Sequence, residues 1–160
     1  MLKEHYQTLF AYSGHTAQQL LAKAALLDEA TLNAHPGFGH GSIHELFFHL
    51  LVTSRGWRIA FETGQQPIRP KPADFEQLST IQAALTEEFA GWQRLLAQVT
   101  DEEIEGPIVL RTLRGDEAHL VYWRILQHLT LHFMQHHTEI AHLLTLQGQS
   151  PGDIDFLFYE

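Results

Sequence analysis

Four stretches of the chain, each about twenty residues or longer, repeat apolar side chains at three- and four-residue steps. All six prolines and most of the eleven glycines fall outside these stretches. The first runs from about Leu2 to Leu27, with Tyr6, Leu9, Phe10, Leu20, Leu21 and Ala24 as its apolar side and Gly14 inside it. The second runs from about Ile43 to Glu62. Ser42 and Glu45 form a capping-box pattern before it, each side chain placed to satisfy an orphan amide, and Gly64 ends it. Pro67, Pro70 and Pro72 make a stiff linker. The third stretch spans about Gln77 to Val99, with Ile81, Leu85, Phe89, Trp92, Leu95 and Leu96 as its stripe. The fourth, the longest, spans about Ala118 to Gln147 and stops at Gly148. Long amphipathic segments joined by loops predict an all-α fold, a four-helix bundle, formed by one domain over residues 1–160. Between the third and fourth helices, Pro107 to Asp116 reads either as a short hairpin turning at Gly115 or as plain loop. The tail, 148–160, carries Phe156, Leu157, Phe158 and Tyr159 and is expected to pack on the bundle.

Composition closes off several chemistries. There is no cysteine, which excludes disulfides, thiolate zinc sites, iron–sulfur clusters and a thiol nucleophile. The longest apolar run, around Leu46–Val52, is interrupted by His49 and is far short of the roughly 20 residues a membrane helix needs. The N-terminus lacks the pattern of a secretory peptide, so a cytoplasmic location is expected. A formal net charge of −9 argues against nucleic-acid binding, which rests on cations neutralising phosphates.

Twelve histidines are the chemical signal. Each residue advances about 100° around a helix. With His128 at zero, His132 lies near 40° and His136 near 80°, while the apolar stripe of Tyr122, Ile125, Leu129, Phe133, Ile140 and Leu143 covers about 60° to 140°. His136 therefore points into the core and His132 lies on its margin. His137 and His119 fall near 180°, away from the other three. On the second helix His49 sits beside the core stripe, and His44 points away from it. Two histidines at i and i+4 share one helix face. A third from a neighbouring helix completes three nitrogen donors with an open position, the pattern of a catalytic rather than a structural site. The candidate metal ligands are His49, His132 and His136, separated by 82 residues and then by three. The plain alternative is that such a pair arises by chance among twelve histidines and that each ring is a surface or singly hydrogen-bonded core residue. Glu139, near 20° on the fourth helix, is placed either to orient a ligand imidazole, to act as a base or to lie solvated. His128 is a possible partner at the edge of the same set.

Other patterns fail on geometry. His44-Glu45-Leu-Phe-Phe-His49 has one residue too many for a zincin motif. Glu139-Ile-Ala-His142 occurs once, where a di-iron bundle needs two copies and two further Glu. There is no phosphate-binding glycine loop and no nucleophile elbow.

Three segments carry a resemblance: Ser42-Ile-His-Glu-Leu-Phe-Phe-His49-Leu50, continuing to Trp57; His128-Leu-Thr-Leu-His132-Phe-Met-Gln-His136; and the tail Ser150-Pro-Gly-Asp-Ile-Asp-Phe-Leu-Phe-Tyr159. In order and spacing the chain resembles the DinB-like family, DNA-damage-inducible proteins grouped with YfiT-like metal-dependent hydrolases. The resemblance implies an up-down-down-up bundle, usually dimeric. It also implies a divalent metal, zinc or nickel, on one histidine of the second helix and two of the last: His49, His132 and His136 by position. The resemblance further implies relatives that are thiol transferases and isomerases using low-molecular-weight thiols, beside the metal-dependent hydrolases. Where the family often shows Arg-Gly-Gln after the last ligand, this chain has His137-Thr138-Glu139. Apolar residues on a second side, Phe48, Val52 and Ile59 on the second helix and Trp123, Met134 and Ala141 on the fourth, suggest a homodimer, with the tail as the alternative cover. The competing function is a non-catalytic stress-response or binding module with a structural metal or none.

Overall fold

The computed structural model describes residues 1–159; Glu160, the last residue of the expected tail, lies outside the described residues. Four long helices form the body: α1 (Leu2–Ala24), α3 (Ile43–Thr63), α4 (Leu78–Gln98) and α6 (Tyr122–Leu146). α1 and α3 each pack against both α4 and α6. The contacts along each pair fix the directions. Lys3 Nζ donates to the Ala97 carbonyl, Gln93 to Gln7 and Gln18 to Thr86, so α1 and α4 are antiparallel. Tyr6 reaches Trp123 and Tyr12 reaches Met134, so α1 and α6 run together. His49 meets His132 while Phe61 stacks on Tyr122, so α3 opposes α6. The order is up-down-down-up, with α3 and α4 parallel. That explains the long crossover between them, because parallel neighbours cannot be joined by a tight turn.

α3 begins as expected. Ser42 Oγ accepts from the Glu45 amide, and the Glu45 carboxylate accepts from the Ser42 amide at 2.8 Å. It ends at Gly64, whose φ of 71° places it in the left-handed region that glycine enters without penalty. α1 is shorter than its periodicity, ending at Ala24 rather than Leu27. Two short helices escaped the periodic reading. α2 (Glu29–Asn33) is capped by Asp28, and α5 (Asp101–Glu105) by a Thr100–Glu103 capping box. One turn each is too little for an apolar period to register. A 3-10 turn also forms within the crossover, over Pro72–Phe75.

The uncertain stretch is a hairpin. β1 (Pro107–Arg111) pairs antiparallel with β2 (Glu117–Val121), from Pro107 opposite Val121 to Arg111 opposite Glu117. Gly115, at φ 92°, lies in its turn. The fourth helix therefore starts at Tyr122 and not at Ala118, and His119 lies on a strand. Pairing of 117–121 with β1 outweighs the weak helical preference of Ala-His-Leu-Val.

The core is aromatic at its centre. Phe10 packs on Trp92 and Phe133 at centroid distances of 4.7 and 5.7 Å. Beside it runs a buried polar chain. Arg58 donates to both oxygens of Glu88 at 2.9 Å, and Trp92 Nε1 donates to Ser54 Oγ at 2.8 Å. Glu88 is fully buried. Gly91 lies on α4 one turn after Glu87; a β-carbon there would come within 2.7 Å of Arg58 Nε.

The tail lies across α1. Tyr12 donates to the Ile154 carbonyl and packs edge-on against Phe156 and Tyr159. Among the described residues no helix is long and apolar enough to cross a membrane.

Candidate metal centre

His49 comes from the second turn of α3, fixed by the capped start of that helix. His132 and His136 come from successive turns of α6, which packs antiparallel to α3. The packing brings the three rings together. His49 Nε2 and His132 Nε2 are 2.9 Å apart. Ring centroids are 4.9 Å for His49–His132, 4.8 Å for His49–His136 and 4.5 Å for His132–His136. One nitrogen from each ring lies within 4.8 Å of the other two. Burial is graded as the helical wheel predicts: His136 buried, His132 half-buried, His49 exposed. The set is thus anchored in the core and open on one side.

Glu139 holds the innermost ring. Its carboxylate accepts from His136 Nδ1 at 2.7 Å and from His40 Nδ1 at 2.5 Å. Burial pushes the Glu139 pKa up, but the hydrogen bonds from His40 and His136 outweigh it and hold the carboxyl below its ordinary range. An ionised carboxylate only accepts. Both imidazoles must then carry a hydrogen on Nδ1, so that in the neutral form of His136 the lone pair lies on Nε2, the tautomer a metal ligand needs. Both oxygens of Glu139 are engaged, so the geometry gives it the positioning role rather than that of a free base. His40 was not singled out in the sequence. It lies in the glycine-rich Gly37-Phe-Gly39-His40-Gly41 loop, two residues before the Ser42 cap, and only the fold shows that this loop reaches α6. His128 lies beside His132, centroids 5.7 Å apart, and is exposed.

Both outer rings are held neutral. Burial lowers the His49 pKa, and the charges of His136, His40 and Arg69 add to the effect. Burial, with His136 and His49 adding, lowers that of His132 to about 4. Neither ring has to lose a proton near neutral pH before binding a cation. Metal–imidazole bonds are about 2.0–2.1 Å, so nitrogens 2.9 Å apart can both reach one ion between them. The donor set therefore fits a single divalent cation. Without one, two Nε2 atoms face each other and at most one can carry the shared hydrogen.

His137 departs from the expectation. It is fully buried, parallel to the Phe133 ring at 6.3 Å, and neither nitrogen has a hydrogen-bond partner among the described residues. α6 packs on α1 as well as α3, so its buried arc extends to Leu126 and Leu144 and takes in His137. Burial, together with the nearby His136 and His132 charges, lowers its pKa to about 3.

An up-down-down-up bundle with three histidines converging from its second and fourth long helices defines the class. The chain belongs to the DinB family, whose sequence model matches residues 1–160. Among solved structures it is similar to YfiT from Bacillus subtilis, described as a probable metal-dependent hydrolase with an unusual four-helix bundle topology. That match has a TM-score of 0.69 at 18% identity and covers 92% of this chain and 90% of the other. At that identity the likeness is one of fold. No curated protein matches the sequence significantly.

Proposed function

We propose that this DinB-family protein is a metal-dependent enzyme of the hydrolase or thiol-transferase type, with His49, His132 and His136 as ligands of one zinc or nickel ion. The observation that carries the reading is the convergence of three imidazoles, two of them neutral and the third held in its donor tautomer by Glu139. An ion bound by neutral imidazoles keeps its full positive charge and supplies Lewis acidity, which brings the pKa of bound water toward about 7 and favours the thiolate of a bound thiol. The chain's own contribution is threefold. The core fixes His136, Glu139 aims it, and the exposed side at His49 leaves room for a substrate. The fold likeness to YfiT, described as a probable metal-dependent hydrolase, agrees with the reading.

The test compares metal-loaded protein, chelator-stripped protein and His132→Ala on esters and amides, and on thiols paired with electrophiles. Turnover confined to the loaded form supports an enzyme, and the substrate arm that responds separates hydrolysis from thiol transfer. No turnover on either arm from a protein that carries its metal would favour the non-catalytic module.

The same reading extends to a homodimer. Phe48 is covered by Phe75 of the crossover, and Met134 by Tyr12. Trp123 remains 39% exposed, and the tail presents Phe156, Leu157 and Phe158 outward. A second copy is the proposed cover.

A further inference from the structure

Glu139 holds His136, and a residue from a distant part of the chain holds Glu139. His40 Nδ1 lies 2.5 Å from Glu139 Oε1, while His136 Nδ1 lies 2.7 Å from Glu139 Oε2. The two rings stand perpendicular around one carboxylate, with centroids 5.2 Å apart. The three side chains step from solvent to core: His40 is 58% exposed, Glu139 25% and His136 3%.

The loop that carries His40 is anchored on both sides of it. Phe38 packs edge-on against His142 of α6, centroids 6.2 Å apart. Gly41, at φ 144°, passes close over the capping box of α3; a β-carbon there would come within 2.8 Å of Glu45 Oε2. His40 lies between these two anchors, which deliver its ring to α6.

Glu139 follows His136 by one helical turn, so the two are neighbours on α6. A glutamate side chain nevertheless has wide rotamer freedom, and the hydrogen bond from His136 alone leaves this one free to swing toward water. A second hydrogen bond, to the other oxygen and from a residue 99 positions away, removes that freedom. Because His40 is exposed, losing its ring opens no cavity in the core and leaves Glu139 Oε1 to water. Its contribution to the fold is therefore small. What it governs is the aim of Glu139.

We propose that His40 is a positioning residue of the metal centre: by holding one oxygen of Glu139 it keeps the other on His136 Nδ1, and so keeps His136 Nε2 aimed at the cation. The hydrogen-bonded set needs no metal to form; its meaning for the metal rests on the three-histidine reading above.

The test is a double-mutant cycle in zinc affinity, measured by chelator competition on the full chain as wild type, His40→Ala, Glu139→Ala and the double variant. His40→Ala is expected to weaken zinc binding by about fivefold with stoichiometry kept. Once Glu139 is alanine, the same change should cost less than about twofold, because His40 acts through Glu139. His40→Asn, whose amide nitrogen can replace Nδ1 as donor, should restore wild-type affinity to within about twofold. A second readout uses no metal. In the chelator-stripped protein, ring nitrogen chemical shifts should show His136 as the Nδ1–H tautomer in the wild type and as a mixture of tautomers in His40→Ala. Unchanged affinity or an unchanged tautomer in His40→Ala, equal losses in both backgrounds, or no recovery with asparagine would overturn the proposal. A wild type that binds no zinc would sink the metal reading instead, and the tautomer measurement would then decide on His40 alone.

Discussion

At the scale of single residues, His136 and His137 show what an environment does to identical chemistry: one ring is held by Glu139 and the other has no partner among the described residues. Glu139 touches His136 through Nδ1, so Glu139→Gln replaces a pure acceptor with a group that can also donate, and the fixed tautomer is lost. We expect about 10- to 100-fold weaker metal binding by equilibrium dialysis, with stoichiometry kept. Unchanged affinity would remove Glu139 from the centre. His137 carries a pH dependence. Its pKa is about 6.5 in an unfolded chain and about 3 when folded. Below pH 6.5 the unfolded chain takes up a proton that the folded chain refuses, so stability falls as pH drops and levels off only near pH 3. Urea titrations of the metal-free protein should show that loss, on the order of a few kcal/mol across the window, and His137→Leu should lessen it, leaving the part that His49 and His132 contribute with the same sign. At neutral pH the same variant should be no less stable, because it removes two unpartnered nitrogens from the core. A wild-type profile flat from pH 6.5 to 4 would contradict the burial of His137. The wheel arithmetic located His49, His132 and His136 because each lies on or beside an apolar stripe. It misplaced His137 because a stripe read from one helix does not say how many neighbours that helix has.

At the scale of elements, the parallel pair α3 and α4 depends on a contact that no periodicity announces. Glu88 sits in the apolar arc of α4 and is offset by Arg58 across the interface. Removing one partner of a buried ion pair leaves an uncompensated charge; Arg58 also holds Glu62 but Glu88 is fully buried, so it is Arg58→Ala that should cost about 3–5 kcal/mol in urea unfolding. Gly91→Ala gives a sharper test. In an exposed helix that change adds about 1 kcal/mol of stability. Here the new β-carbon meets a guanidinium already tied to Glu88, so the variant should be less stable than wild type. A gain in stability would show that Arg58 moves freely. Capping and stop signals in the sequence marked the start and end of α3 within a residue, since they are local. The hairpin stayed open between two readings because strand pairing is a contact between distant residues, and so is the boundary at Tyr122.

For the whole molecule, the amphipathic pattern fixed the number of long helices but not their order around the bundle. That order came from the family resemblance, and it is what brings α3 beside α6 and His49 to His132. Assembly is tested by light scattering on the eluted protein. The proposed dimer predicts twice the 18.3 kDa chain mass, falling toward one chain in Trp123→Glu. A single-chain mass for the wild type would contradict it. A metal that binds only the folded bundle also stabilises it, by about 2.7 kcal/mol at a free concentration one hundred times Kd, so the melting temperature should rise with added zinc or nickel.

The central claim is that three imidazoles share one cation. Metal content after equilibrium dialysis against zinc, measured on the folded wild type and on His49→Ala, His132→Ala and His136→Ala, tests it directly. The account predicts one ion per chain in the wild type and a loss in each variant. Full metal content in all three variants, or none in the wild type, would contradict it.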